Sequence, residues 1–369
     1  MRRLSGNAAV FVLSAALVGA IGWLEGTRPG GLSLPRLTAG LVTLDLLIRA
    51  GVFTIILVGL NLLMGYAGQV SLGQAAFYGM GAFFSAIFTV KARQVGIPLT
   101  LSGAWWWPWV VMGLGAALVG GFAYLIGWVI LRLRGHYLAM ATLGLGVAVF
   151  IILRENLGLS RLDLTGGFDG VVGIPRLRVG TYPLWPLHRY FFLVWSFALA
   201  AVALGLNIVD SRLGRALRAI HHSQVAAETL GVNVPRYKAQ IFATSAALAA
   251  LAGSLYAHFQ AAVVPATFGF VPSLELVLMS AVGGMASIWG APLGALAILL
   301  LEELLRTRLR LLLPGTGGEL EAVAFGLLLI LVLLFWPRGL AGRASGPLRR
   351  PIPTGGAGQS VRPAGVPRA

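Results

Sequence analysis

The chain has 369 residues, of which 57% are hydrophobic and 11% are charged, and its mean hydropathy is +0.85. This composition excludes a soluble globule with a charged surface and indicates a protein that crosses a membrane several times. We expect no nucleic-acid partner despite the net charge of +16, because the basic residues flank apolar segments and do not alternate with aromatic residues. The absence of cysteine excludes disulfides, thiol catalysis and cysteine-ligated metal.

Six apolar segments precede the main polar loop of the chain, and each is close to the 20 or so residues that a helix needs to cross the hydrocarbon core. The first segment follows Met1 and two arginines, as in a secretory signal. It is long, however, and no A-x-A cleavage pattern ends it, so we expect an uncleaved helix. The six predicted helices are approximately Asn7–Leu24, Leu41–Met64, Ala75–Val90, Pro108–Leu131, Tyr137–Leu153 and Tyr190–Val209.

Basic residues between these segments predict the orientation of the chain, because cytoplasmic loops are enriched in Lys and Arg. An N-terminus inside the cell places most of them in the cytoplasm, with Lys91 and Arg93 as minor exceptions. The same orientation places the stretch Arg154–His188, which is mixed in charge and rich in Gly and Pro, outside. The basic residues predicted to be cytoplasmic are Arg2, Arg3, Arg132, Arg134, Arg212, Arg215 and Arg218.

Closely spaced glycines and small polar residues occupy the otherwise apolar stretch Gly59–Phe83. A glycine inside a helix costs about 1 kcal/mol relative to alanine. This density therefore predicts close contact between backbones, or non-helical turns along a path that the protein encloses. Ordinary packing of helices through small residues is the alternative. The polar and glycine positions singled out here are Asn61, Gly65, Tyr66, Gly68, Gln69, Ser71, Gly73 and Gln74.

The stretch Leu164–Pro175 has four glycines around one aspartate. This composition predicts a tight turn with exposed backbone amides. Such a turn forms an external mouth, docks another protein or is a simple connection, and these interpretations stay open. The residues in question are Thr165, Gly166, Gly167, Asp169 and Gly170.

The polar loop Asp210–Arg236 has apolar residues at helical spacing, and Gly231 stands where a helix would end in a left-handed cap. We predict a short amphipathic helix, a turn and a second helix that form a compact cytoplasmic knob able to enter a groove on a partner protein. A solvated basic loop is the alternative. The residues predicted to act in this contact are Arg215, Leu217, Arg218, Ile220, Ala226, Ala227, Glu228, Leu230, Gly231 and Val232.

The apolar run Leu274–Leu301 is interrupted at Gly283 and Gly284 and again near Pro292, so one unbroken helix is not expected there. Two short crossings in this run, together with the predicted helices Lys238–Phe259 and Ala322–Trp336, give ten crossings and a cytoplasmic C-terminus. A re-entrant hairpin gives nine crossings and an external C-terminus. We favour ten, although ten places Arg306, Arg308 and Arg310 outside, against the charge rule.

We predict a transmembrane domain over residues 1–342 and a disordered tail over residues 343–369, which are rich in Pro, Gly and Arg. The basic tail and the apolar helices both imply membrane lipid as a partner.

Few charged or titratable residues lie in the predicted helices. Asp45 and Arg49 are four residues apart and are expected to pair. Glu275 sits in an apolar segment, where an unpaired carboxylate is costly; a helix N-terminus would offset that cost, and contact with the ammonium group of a substrate is the alternative. The adjacent His221 and His222 point apart on a helix, so no metal site is expected.

Three of these motifs resemble those of one family. The residues from Asn61 to Gln74 closely resemble the hallmark of LivM-type permeases, the membrane subunits of bacterial branched-chain amino-acid ABC importers. The segment Val225–Gly231 resembles the coupling loop of ABC importer permeases, whose Glu-Ala-Ala-x-x-x-Gly pattern has Val225 here instead of the leading Glu. Leu164–Pro175 also looks LivM-like. The resemblance covers nearly all of Leu41–Gly342.

The resemblance implies an all-α integral membrane protein with about ten transmembrane segments, some broken or half helices, similar to type II ABC importers. It implies a permease for Leu, Ile or Val in the bacterial inner membrane. The coupling loop would be residues 210–236, and the path would include Glu275, Gly283 and Gly284 besides the motif from Asn61 to Gln74. The chain has no Gly-x-x-x-x-Gly-Lys-Ser/Thr loop, so it is not expected to be an enzyme or to bind ATP or another cofactor itself.

The implied partners are a LivH-like second permease, two ATP-binding-cassette ATPase subunits and a periplasmic or lipid-anchored substrate-binding protein. A related urea or amide importer is the alternative within this class. A secondary transporter or channel is the alternative from another class, but it would need intramembrane acids or histidines for ion coupling, and Asp45 and Glu275 are the main acidic candidates.

Overall fold

The computed structural model describes residues 2–27, 41–92, 103–133, 135–156 and 164–312, together with residues 97, 98, 100, 326, 327, 330, 334 and 339–341. Most of this described part is helical. The α-helices with described bounds are α1 (Arg2–Thr27), α2 (Leu44–Asn61), α3 (Gln74–Val90), α4 (Trp107–Ile130), α5 (His136–Arg154), α6 (Leu187–Asp210), α7 (Arg212–His222), α8 (Gln224–Thr229), α9 (Val234–Gln260), α10 (Phe270–Gly283) and α11 (Gly290–Leu312).

Five of the described helices are long and apolar enough to cross a membrane: α2 with its extension to Tyr66, α4, α5, α6 and α9. Shorter apolar helices are found in α1, α3 and α10, whereas α11 carries Glu302, Glu303 and Arg306 in its second half. The chain is therefore a multi-pass membrane protein. The predicted helices from Asn7–Leu24 to Lys238–Phe259 each correspond to an observed helix. The predicted crossing Ala322–Trp336 lies largely outside the described residues and the tail 343–369 entirely so, and ten crossings are not confirmed.

Helix α9 lies at the centre of the described helices and packs against α2, α3 and α4. Much of α9 is Ala, Gly and Ser, and small residues let membrane helices approach closely. A Cβ atom added to Gly81 of α3 would overlap the backbone of Ala250 in α9, and one added to Gly253 of α9 would overlap the Tyr78 carbonyl of α3. The crossing of α3 and α9 therefore has no room for larger side chains.

The apolar run after α9 is broken, as predicted from its glycines. Helix α10 ends at Gly283, and Gly284 has φ +104°, which glycine adopts more readily than other residues. Helix α11 begins at Gly290, with Pro292 in its first turn, where a missing N–H costs little. The backbone of Gly283 lies against Gly290 and Gly294, so α10 and α11 form a close hairpin.

Two short antiparallel ladders lie at the end of the helices opposite to the loop Asp210–Arg236. Strand β1 (Val171–Val172) pairs with β4 (Ala262–Val263), and β2 (Arg178–Val179) pairs with β3 (Tyr182–Pro183). The β1–β4 ladder joins the polar loop between α5 and α6 to the end of α9, and His258 of α9 joins them a second time. Its Nδ1 lies 2.7 Å from the Pro175 carbonyl oxygen in that loop, and its Nε2 lies 2.9 Å from Ser85 Oγ of α3. A carbonyl only accepts, so Nδ1 carries the proton and Nε2 accepts from Ser85.

Candidate functional site

The junction between α2 and α3 is non-helical, as the glycine-rich motif predicts. Helix α2 continues into one π-helical turn, Leu62–Tyr66, and α3 begins only at Gln74. Gly68 within the junction has φ +67°. Non-helical backbone at membrane depth is tolerated only where protein buries it or a cavity lies beside it, and π-helical turns are frequent at functional sites. We call residues 67–73 the break.

The end of α2 and the π-helical turn, directly before the break, pack against the turn between α10 and α11. The side-chain amide of Asn61 donates to the Ser287 carbonyl at 2.9 Å and accepts from Ser280 Oγ at 2.5 Å. A Cβ at Gly65 would overlap the Met285 carbonyl. Two parts of the chain that the sequence predicts for the path are thus brought close: Asn61 and Gly65 lie against the α10–α11 turn, which directly follows Gly283 and begins with Gly284.

The end of the break and the start of α3 are held by residues of three other helices. Leu72 N donates to Thr142 Oγ1 of α5 at 3.1 Å, and Ala75 N donates to Ser273 Oγ of α10 at 3.2 Å. The amide of Gln74 donates to the carbonyl and the hydroxyl of Ser245, at 3.1 and 3.0 Å. Ser245 is near the middle of α9, so α3 starts well inside the helical bundle and is a short helix rather than a full one.

Three buried polar side chains, Gln69 and Ser71 in the break and Gln74 at its border, have atoms without a hydrogen-bond partner among the described residues. Gln69 is 2% exposed and Ser71 is 1% exposed. Within the described residues, neither the Gln69 amide nor the Ser71 hydroxyl makes a hydrogen bond, and Gln74 Oε1 accepts none. A buried polar group left unsatisfied costs about 1–3 kcal/mol, and such groups in native proteins call for an explanation such as water or a ligand. They are the strongest structural signal of a polar path at the break.

The break also contacts the loop Asp210–Arg236. A Cβ at Gly68 would lie 2.8 Å from Nδ1 of His221 in α7, so the Gly68 backbone is directly against that ring. Tyr66 lies within electrostatic range of Asp210 and Arg218. No local sequence signal indicates this contact, because the two motifs are far apart in the chain and each is interpretable by itself.

The loop Asp210–Arg236 folds into the predicted helix-turn-helix knob. Ser211 caps α7 by accepting from Leu213 N at 3.1 Å, and Ser223 caps α8 by accepting from Ala226 N at 3.3 Å. Such caps satisfy the free N–H groups of a helix start. Gly231 has φ +81°, which confirms the predicted left-handed cap. We refer to residues 210–236 as the knob.

Burial sorts the predicted knob residues into two groups. Ala227 and Ile220 pack with Val234 in a small core of the knob, and Leu217 is buried against the helical bundle. The side chains of Leu217, Ile220 and Ala227 are packed inside the chain, so their part in the predicted contact with a partner, which stays a prediction, is to hold the shape of the knob. The other predicted residues Arg215, Arg218, Ala226, Glu228 and Gly231 are exposed. Leu230 is 80% exposed, and Val225 is exposed as well. Val232 is half-buried.

The predicted glycine turn of the other polar loop is confirmed. Asn156 Oδ1 accepts from the backbone N–H groups of Leu164 and Thr165, at 2.9 and 3.0 Å, and from the Thr165 hydroxyl at 3.1 Å. Thr165 is buried, whereas Asp169 is exposed. The three predicted glycines, Gly166, Gly167 and Gly170, all have positive φ. This turn continues into β1, which pairs just beyond the C-terminus of α9, while the knob precedes the N-terminus of α9. The two loops are thus at opposite ends of α9, and the structure does not bring them together.

Two predictions about charged residues have different outcomes. Arg49 Nε lies 2.9 Å from Asp45 Oδ2, as expected for residues one turn apart. Glu275 is half-buried in the second turn of α10, beyond the first turn in which a helix N-terminus stabilises a carboxylate, and it lies within electrostatic range of Glu302 of α11. The predicted compensation by a helix start is therefore absent.

The described residues contain no cluster of His, Asp and Glu suited to a metal ion.

Sequence comparison identifies the family. A profile described as "Branched-chain amino acid transport system / permease component" matches residues 42–333. The chain belongs to this family. It is 30% identical over 333 residues to the high-affinity branched-chain amino acid transport system permease protein LivM of Escherichia coli K12, covering 84% of this chain and 71% of the relative. It is 28% identical over 305 residues to LivH of Salmonella typhimurium, covering 79% and 91%. The resemblance to LivM-type permeases is confirmed.

A more distant relative is the probable LivM permease of Methanocaldococcus jannaschii, which is 23% identical over 333 residues, covering 80% of this chain and 92% of the relative. No solved structure matches this chain.

Proposed function

We propose that the chain is the permease subunit of an ABC importer that moves leucine, isoleucine or valine across the bacterial inner membrane, driven by separate ATPase subunits. The family and the names of its relatives support the substrate class. The observation that carries the mechanism is the contact between Gly68 in the break and His221 in the knob. It connects a surface suited to a partner with a non-helical segment inside the bundle.

The ATPase contact is assigned to the exposed side of the knob. Val225 and Leu230 are apolar and exposed, and burial of apolar surface is the dominant favourable term in most protein association. The knob has its own small core, so it moves as a unit. When the ATPase pulls or pushes the knob, His221 moves against Gly68, and the break opens or closes.

The path follows the break. Gln69 and Ser71 supply hydrogen-bonding groups that the described residues leave unsatisfied, and these groups receive the polar end of the amino acid. Asn61 holds the α10–α11 turn against the end of α2, directly before the break, so a movement of the break is passed to that hairpin. Glu275 on the same hairpin is a candidate contact for the substrate ammonium group.

The complete importer contains four further components. They are a LivH-like second permease, two ATP-binding-cassette ATPase subunits, and a periplasmic or lipid-anchored binding protein that docks near the external turn Thr165–Gly170. The proposed chain has ten crossings, the knob and the tail 343–369 in the cytoplasm, and Arg154–His188 outside.

The substrate is tested by uptake into proteoliposomes that contain the chain with the second permease, the ATPases and the binding protein of its own gene cluster. We expect ATP-dependent uptake of labelled leucine that excess unlabelled isoleucine or valine reduces and that urea leaves unchanged. Uptake of labelled urea without uptake of leucine would contradict the substrate assignment and support the related urea importers.

A further inference from the structure

One buried histidine connects three parts of the fold. His258, in the last turn of α9, is 1% exposed, whereas the other four histidines of the chain are exposed or half-buried. Its Nδ1 lies 2.7 Å from the Pro175 carbonyl oxygen, and its Nε2 lies 2.9 Å from Oγ of Ser85, which is fully buried in α3. Burying a polar group costs free energy unless it is hydrogen-bonded. The imidazole meets that requirement by bonding two separate elements at once.

Pro175 belongs to the loop between α5 and α6, which we call the α5–α6 loop. This loop is fixed to the end of α9: the backbone N–H groups of Gly173 and Ile174 both donate to the Ala261 carbonyl, at 3.0 and 3.1 Å, and β1 pairs with β4. The loop also presents apolar surface, because Phe168 is 71% exposed and Val172 is 69% exposed. His258 therefore lies directly beneath a segment that has a free outer surface.

Helix α3 carries Ser85 near one end and borders the break at the other. It begins at Gln74, whose amide donates to Ser245, and the eleven residues from there to Ser85 span about 16 Å of continuous helix. A rigid helix passes a displacement from one end to the other. A movement at Ser85 therefore reaches Gln74 and the end of the break.

We propose that His258 is a positioning residue that couples the α5–α6 loop to the break through Ser85 and α3. The inference rests on the proposed function, which places this loop outside the cell and docks the binding protein near it. When the docked protein displaces the loop, Pro175 moves His258, and His258 moves Ser85 and with it the start of α3. The ATPases act on the break from the knob, so this contact makes ATP hydrolysis respond to the binding protein.

The test measures ATP hydrolysis by the complete complex in proteoliposomes as leucine-loaded binding protein is added. Ser85→Ala removes the bond to α3, and His258→Asn keeps a donor in place of Nδ1–H but is too short to reach Ser85. Each variant should lower the maximal stimulation at least threefold. Hydrolysis without binding protein, and the concentration that gives half of the maximal stimulation, should equal wild type. The double variant should lose no more than either single variant, because both substitutions remove the same contact.

The matched control is Ser254→Ala. Ser254 is fully buried in α9, and its hydroxyl donates to the Gly81 carbonyl of α3 at 3.0 Å. This bond joins the same two helices without involving the α5–α6 loop. Ser254→Ala should therefore be stimulated as strongly as wild type, whereas a role of these serines in helix packing alone would affect Ser85→Ala and Ser254→Ala equally.

Three results would overturn the inference and leave the proposed function standing: wild-type stimulation of both Ser85→Ala and His258→Asn, an equal loss in Ser254→Ala, or a raised half-maximal concentration with an unchanged maximum. The last result would mean that His258 shapes only the docking surface. If the wild-type complex shows neither stimulation by the binding protein nor ATP-dependent leucine uptake, the proposed function itself is wrong, and the inference fails with it.

Discussion

The glycines of this chain differ in how much space lies where a Cβ atom would be. The fold requires glycine only at the positions where that space is already filled. Gly81 faces the backbone of Ala250 in α9, and Gly65 faces the Met285 carbonyl, so neither site has space for a Cβ. Gly113 and Gly121 of α4 have no atom within 4 Å of the Cβ position. Both kinds look alike in the sequence, since each lies in an apolar helical segment.

We predict that Gly81→Ala destabilises the protein whereas Gly113→Ala does not. The new methyl group at position 81 overlaps backbone that cannot rotate away, and overpacking of this kind costs about 1–3 kcal/mol. At position 113 the methyl group enters open space, and alanine favours the helix. The measurement is the thermal unfolding midpoint of each variant in the same detergent, with wild type alongside. Equal midpoints for Gly81→Ala and Gly113→Ala would show that α3 and α9 are not in backbone contact.

The knob shows how much of an element follows from its sequence. The helical spacing of Leu217 and Ile220 and the position of Gly231 predict two short helices and a left-handed cap, and both are found. The same spacing does not tell which apolar residues face a partner. Ala227 packs into the knob's core while Leu230 is exposed, and this depends on how α8 folds back onto α7 and α9.

The cap predicts a difference between two substitutions at Gly231. Its φ of +81° is strained for a β-branched residue, whereas asparagine tolerates left-handed backbone. Gly231→Val should misplace the chain that enters α9 and reduce ATP-driven leucine uptake severalfold, and Gly231→Asn should stay close to wild type. No atom lies near the Cβ position, so a steric clash does not explain the difference. Equal uptake by the two variants, with equal amounts of assembled complex, would remove the cap from the mechanism.

At the scale of the whole molecule, the lengths of the apolar segments predict the helices, and the glycines and small polar residues predict the break. Both features can be predicted because they depend on local sequence. What local sequence does not contain is the contact between distant parts. Gly68 meets His221, Asn61 holds the α10–α11 turn, and Glu275 comes near Glu302. These contacts arise only when the bundle is packed around α9, which links the knob at one end to the β1–β4 ladder at the other.

The central claim is that ATPase subunits acting on the knob drive amino-acid movement through the break. The most direct test is leucine uptake by the reconstituted complex with and without ATP, in wild type and in Leu230→Asp. Leu230 is 80% exposed, so this substitution leaves the fold intact and places a charge in the proposed contact with the ATPase. We predict uptake only with ATP in wild type, and at least a tenfold loss in Leu230→Asp at equal permease levels. Wild-type uptake driven by an ion gradient without ATP, or normal uptake by Leu230→Asp, would contradict the claim.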